Sequence, residues 1–207
     1  MESTPEQSYE NPNDFYTLEE TKRYETNSGM KKTQTELTSI ILELYFEETN
    51  NQSKDIYILD IGCGTGFSLE FLKELKYQKM AGIDPAREML KICKNKKFEC
   101  YLGDFEKLPK EITQKNYDLI ISVSALQWIL TNKQEMEIKN TIKKVGKSLK
   151  EILKEKGIII IQYYPPGKEI PEIVISSFQR AGFVVKEYLY NEGNPKKQKY
   201  FLILKHK

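Results

Sequence analysis

The chain has 207 residues, 32 basic and 30 acidic side chains, a net charge of +2 and a hydrophobic fraction of 39%. That length suits one domain with a real core, and so balanced a charge does not by itself point to a nucleic-acid partner. An acidic, polar N-terminus and no apolar run of about eighteen residues predict neither a secretory signal nor a membrane span, while Cys63, Cys93 and Cys100, odd in number and unevenly spaced, speak for a reducing compartment and against a disulfide framework or a metal site.

Residues 1–13 carry Pro5 and Pro12 and no apolar period, which predicts a disordered tail; one domain is expected from 14 to 207, with helices over 14–53 and a sheet core over 54–207. Leu37, Ile40, Ile41, Leu44 and Tyr45 form a helical stripe, and the polar segment KRYETNSGMKKTQ before it, containing Tyr24, is expected to fold as a lid over a ligand mouth. IYILDIGCGTG follows, a short strand running through Asp60 into Gly62, Cys63, Gly64 and Gly66. Phe67, Leu69, Phe71, Leu72 and Leu75 predict a helix, 77–84 a second strand closing on Asp84, and Pro85 the first position of the next helix. A third strand opens on Phe98, closes on Leu102 and is followed by Gly103, Asp104 and Phe105. The apolar run YDLIISVS, ending at Ser124, reads as a strand buried on both faces, and Gln127 and Trp128 lie just beyond it. A long amphipathic helix over 134–153, a strand over 158–163 ending in Tyr163 and Tyr164, a helix over 171–181 capped by Gly182 and a hairpin around NEGNPKKQ complete the chain.

The glycine turn narrows its own ligand. A triphosphate loop needs Gly-Lys-Ser/Thr, and here Gly66 is followed by Phe67. The dinucleotide fingerprint is G-x-G-x-x-G; the spacing here is G-x-G-x-G, with Asp60 placed to repel a diphosphate and attract a cation. By itself such a turn is also compatible with an ordinary tight turn. Asp84, about twenty residues past Gly64, is placed to accept from ribose hydroxyls. Asp104 adds a third acid at a third strand end. Together they ask for a nucleoside bearing a positively charged, non-phosphate appendage, a description that S-adenosylmethionine meets.

ILDIGCGTG, GID and GDF resemble the class I S-adenosylmethionine-dependent methyltransferases over roughly 54–161. The resemblance implies a Rossmann-like α/β fold with a seven-stranded, mostly parallel sheet, helices on both faces and an antiparallel C-terminal hairpin. It also implies that the turn from Gly62 to Gly66 underlies the methionine part, that Asp84 holds the ribose, that Asp104 lies near the adenine amino group, and that Tyr24, Pro85, Phe105 and Ser124 complete the cofactor site. KRYETNSGMKKTQ, SVSALQWI, IQYYPP and NPKKQKYFLIL extend it to nearly the whole chain and are similar to the eukaryotic family that methylates a guanine at N7 in small-subunit (18S) ribosomal RNA. That family implies work in ribosome biogenesis in the nucleus, nucleolus and cytoplasm, and an obligate small zinc-ribbon activator pairing on the edge strand from Phe98 to Leu102. A loop of the chain itself is the other candidate cover for that edge. Two departures stand out. The family's Ser-Arg-Met is Ser28-Gly29-Met30 here, removing a cation, and its long basic tail is absent.

The acceptor is expected beside Gln127, Trp128, Tyr163 and Tyr164. Trp128 is read either as a stacking platform for a flipped base or as core. The motifs for amide or adenine nitrogen and for cytosine C5 are missing, and the single histidine, His206, is penultimate. Guanine N7 has a lone pair and no proton, so it needs alignment and no acid or base. The lysines over 139–156 and 196–207 read either as a solvated face or as a phosphate-facing strip. Only three arginines, Arg23, Arg87 and Arg180, predict weak affinity for bare RNA. A small-molecule methyltransferase and a catalytically silent ribosome-assembly factor are the competing readings.

Overall fold

In a computed structural model of the chain, the described residues are 4–191, 193 and 198–207; most of the expected hairpin tip, with Lys196 and Lys197, lies outside them, as do residues 1–3 of the expected tail. The described strands are β1 (Ile58–Ile61), β2 (Met80–Asp84), β3 (Cys100–Leu102), β4 (Tyr117–Val123), β5 (Leu153–Tyr163), β6 (Phe183–Tyr190) and β7 (Lys199–His206). They form one seven-stranded sheet in the order β3-β2-β1-β4-β5-β7-β6. The first five run parallel, and β7 is inserted antiparallel between β5 and β6. Because β1 lies between β2 and β4, the chain leaves it in opposite directions, and a crevice opens at the strands' carboxyl ends where the order reverses.

The helices are α1 (Pro5–Ser8), α2 (Pro12–Phe15), α3 (Leu18–Thr26), α4 (Ser28–Thr49), α5 (Phe67–Glu74), α6 (Arg87–Asn95), α7 (Lys110–Thr113), α8 (Glu135–Ile152) and α9 (Ile170–Arg180). Successive strand residues serve opposite faces. Ile58, Leu119, Ile121, Ile158 and Ile160 pack under Leu37, Ile41, Leu44 and Tyr45 of α4. Leu59, Ile61, Ile120, Ile159 and Ile161 pack under Ile112 of α7, Ile142 and Leu149 of α8 and Phe178 of α9. This two-sided burial is why the central strands read as unbroken apolar runs.

The structure departs from the sequence expectations in four places, the simplest being Pro85, which stands just before Ala86, the N-cap of α6, and not at that helix's first position. Residues from 4 onward form α1 and α2 where a tail is expected. Pro5 and Pro12 stand at the helix starts, where a missing N–H costs nothing, and the Asn11 side chain caps α2 by accepting from the Asn13 N–H. The long helix passes straight into β5 at Leu153, with a register shift opposite Tyr117. Gly157 sits in that irregularity because a Cβ there would stand 2.9 Å from the carbonyl oxygens of both Lys154 and Tyr117. The third strand is only three residues long, and it does lie at the sheet edge.

Candidate active site

The crevice encloses about 900 Å³ and is lined by Tyr24, Gly62, Cys63, Gly64, Asp84, Pro85, Asp104, Phe105, Ser124, Gln127, Trp128 and Tyr164 among the residues singled out from the sequence. Its floor is the turn after β1. Gly62 has φ +81°, and a Cβ there would lie 2.3 Å from Ala125 Cβ; Gly64 has φ +53° and open space where its Cβ would be. The first glycine lets the β1 and β4 ends meet, and the second lets a ligand approach bare backbone.

Asp84 fixes the turn. Its Oδ2 accepts from the Gly64 N–H at 2.8 Å and its Oδ1 from the Ala86 N–H at 2.8 Å, which leaves further acceptor capacity on each oxygen. Burial raises its pKa to about 6 against the pull of those two donors, and the Asp104 charge adds to the rise. Asp60 lies beneath, fully enclosed, with Oδ2 lacking any hydrogen-bond partner. Burial, then the Asp84 charge, pushes it up to about 8. Two enclosed carboxyl groups that no cation pairs with among the described residues are costly to ionise; a positive ligand above the turn would relieve that cost. The Tyr24 phenol is raised by burial and then by Asp84, Asp60 and Glu25, and its ring stacks on Phe67 with centroids 5.4 Å apart. Asp104 Oδ1 accepts from the N–H groups of Glu106 and Lys107, both at 2.8 Å, shaping the loop that carries Phe105.

Across the crevice Ser124 adopts φ +56° and donates from Oγ to Gln162 Oε1 at 2.9 Å. Gln127 Nε2 donates to the Ser124 carbonyl at 3.0 Å, leaving the buried Gln127 Oε1 without a partner. Trp128, one of the crevice walls, packs beside Phe15 and Tyr16 at 6.3 and 6.0 Å between centroids. Tyr164 is 38% exposed, and its hydroxyl accepts from Lys199 Nζ at 2.9 Å.

Three expected site residues do not face the crevice. Tyr163 is wholly buried in the core under α8 and α9, because neighbours on a strand point to opposite faces. Asp60 lies beneath the turn and can act on a ligand only through its field. Gly66 turns the chain into α5, where a Cβ would stand 3.1 Å from Cys93 Sγ. Tyr16, within the segment expected to pack over the crevice, lines it, and so do Thr4, Pro5, Tyr9 and Asn13 of the segment expected to be a disordered tail. Asn13 Nδ2 donates to the Pro85 carbonyl at 2.8 Å, and its Oδ1 accepts from the Arg87 N–H at 3.1 Å, strapping α2 across the mouth. The signal was there in Asn11-Pro12, a cap followed by a first-position proline. Among the described residues no group of three or more side chains converges as a metal site.

What the fold and the crevice define together is a class I S-adenosylmethionine-dependent methyltransferase. The cofactor suits these residues: Gly64 offers open backbone, Asp84 retains lone pairs for a ribose diol, and Asp60, whose Oδ2 lacks a partner, lies below where a sulfonium cation would favour its ionised form. Residues 52–201 match the family described as Methyltransferase domain, and the chain belongs to that family. It is 27% identical over 200 residues to an 18S rRNA (guanine-N(7))-methyltransferase of Schizosaccharomyces pombe, covering 93% of this chain and 71% of that one. It is 29% identical over 197 residues to the bovine (Bos taurus) 18S rRNA (guanine-N(7))-methyltransferase, covering 93% and 68%. A malonyl-[acyl-carrier protein] O-methyltransferase of Bacillus cereus is 32% identical over 158 residues, 73% of this chain and 51% of that one. In fold, the chain is similar to magnesium protoporphyrin IX methyltransferase from Synechocystis, with a TM-score of 0.64 at 13% identity over 99% of both chains.

Proposed function

We propose that this methyltransferase modifies N7 of a guanine in small-subunit ribosomal RNA during ribosome biogenesis. The observation that carries the reading is a crevice walled by Trp128 and Tyr164 and lined by Gln127, whose Oε1, buried just behind the wall, lacks a partner that a side-chain turn toward a bound base would supply. A flipped guanine offers N1–H and N2–H₂ donors on one edge while its N7 lone pair faces away on the other, so a base held through that edge presents N7 outward. Bound S-adenosylmethionine supplies an electrophilic methyl group. The protein's share is to hold cofactor and base in line and to exclude water. Gly62, Cys63 and Gly64 underlie the methionine part, Asp84 takes the ribose, Pro85, Asp104 and Phe105 flank the adenine, and Tyr24 closes over the turn. Ser124 holds Gln127 through its carbonyl. No side chain is asked to move a proton, in keeping with His206 lying against the Leu153 carbonyl at the start of β5.

The relatives in yeast and cattle support the substrate class over nearly the full chain. A partner belongs to the same reading. β3 is an outer strand whose Leu102 is 43% exposed, a place where a small zinc-ribbon activator can add a strand. Nuclear, nucleolar and cytoplasmic residence would follow from subunit assembly. A second reading, a small-molecule methyltransferase, draws on the acyl-carrier-protein relative. Chemical-cleavage mapping of ribosomal RNA from cells depleted of the chain tests all of this. One N7-methylguanine is expected to vanish. Unchanged RNA with turnover of a small acceptor favours the second reading, and unchanged RNA without turnover favours a silent assembly factor, in which Gly29, exposed beside the Asn27 cap, leaves its missing cation unreplaced.

A further inference from the structure

A second cavity lies away from the cofactor crevice. It is a groove of about 210 Å³ between α8 and α9, lined by Met136, Lys139, Asn140, Lys143, Ser177 and Arg180. Lys139, Lys143, Lys147 and Lys150 recur at steps of four, four and three residues along α8, so they share one face with about 6 Å of rise between the first neighbours. Lys139 is paired with Glu135 and Lys150 donates to the Gly182 carbonyl. Lys143, Lys147 and Arg180 are exposed and have no ion pair among the described residues. Like charges one helical turn apart destabilise a helix, and an external polyanion offsets that repulsion. Lys133, a crevice residue paired with Glu106, reaches Thr141 Oγ1 at 3.4 Å on the buried side of α8, away from the lysine face.

We propose that the α8–α9 groove binds the ribose-phosphate backbone of the RNA that carries the target nucleotide, with Lys143 and Arg180 in the groove and Lys147, one turn further along α8, as the phosphate contacts. This rests on the RNA reading of the crevice. The planar guanidinium of Arg180 suits a bidentate phosphate contact, and the lysines follow the strand as point charges. The groove thereby anchors the strand from a second position while the base is held in the crevice.

The test is fluorescence anisotropy of a labelled, mixed-sequence, single-stranded oligoribonucleotide over a series of salt concentrations, using the full chain and the triple variant Lys143→Gln, Lys147→Gln, Arg180→Gln. Each neutralised phosphate contributes about 0.7 to the salt slope for a single strand, so the variant should bind about tenfold or more weaker at low salt with a slope shallower by about 2. S-adenosylmethionine titration and melting temperature should match those of the unaltered chain, which shows that the variant is folded. A control variant, Lys32→Gln, Lys73→Gln, Lys91→Gln, removes the same charge from α4, α5 and α6 and should keep the original slope. An unaltered slope in the groove variant, an equal loss in the control, or no RNA binding by the unaltered chain at low salt overturns the proposal. Because binding is read without methyl transfer, a failed guanine mapping alongside a changed slope removes the guanine reading and leaves the groove standing.

Discussion

Asp60 and Asp84 end up enclosed together because adjacent parallel strands carry Asp60 opposite Gly82 and Ile61 opposite Ile83, so the acid closing β2 stands just past the turn that leaves β1. Both carboxyls titrate higher when folded than when unfolded. Their contribution to the stability of the cofactor-free protein is therefore fully present below the ordinary carboxylate range and is lost as pH rises through about 6 for Asp84 and about 8 for Asp60. A cationic cofactor pairs with the ionised forms and works the other way. Thermal melts should show the free protein losing stability between pH 6 and 8 while the upward shift on adding S-adenosylmethionine grows over the same interval. Asp60→Asn should flatten both trends, melt no lower than the parent without cofactor, and bind the cofactor about tenfold more weakly by calorimetry, roughly 1.4 kcal/mol. A melting shift on cofactor addition that is independent of pH in the unaltered chain would refute the assignment. The acids and glycines were legible at this scale because their spacing along a strand and turn is local.

The least expected element is the pair α1 and α2, closing the crevice through Asn13 and through Asn132 Nδ2, 3.5 Å from the Gln7 carbonyl. Asn13→Ala removes the two hydrogen bonds to the Pro85–Arg87 segment and a local one to Asn11, each worth about 0.5–1.5 kcal/mol, so the cofactor should leave about tenfold faster with little change in melting temperature. The sole tryptophan, Trp128, packs on Phe15 and Tyr16 and gives a fluorescence signal for a stopped-flow measurement. An unchanged release rate would mean that the strap does not retain the ligand. The crossing of α8 and α9 offers a packing test. A Cβ on Gly146 would stand 2.5 Å from Ala181 Cβ, so Gly146→Ala should cost about 1–3 kcal/mol in denaturant unfolding. Adding Ala181→Gly should restore much of the loss. Periodicity predicts both helices, yet the close approach that demands a glycine depends on two segments far apart in the chain.

Across the whole molecule, charge and edges decide what can meet this protein. The net charge of +2 hides a face on α8 and α9 where unpaired cations gather, and the outer position of β3 leaves Leu102 half-exposed at the sheet edge. If that edge takes a partner strand, Leu102→Asp should abolish co-purification of a small zinc protein from the chain's own cells and leave the isolated chain's melting temperature unchanged; retention of the partner would place the interface elsewhere. From sequence alone come the strand-glycine-acid succession, the two-sided apolar strands and the demand for a cationic nucleoside, set by local spacing and by the pattern of burial, and, through the resemblance to class I methyltransferases, the class of fold. Only tertiary structure brings the N-terminal helices over the crevice, turns Tyr163 inward, leaves Gln127 Oε1 unpartnered and gathers Lys143 and Arg180 into one groove. Those outcomes depend on which distant side chains share a surface, which chain order does not encode by itself.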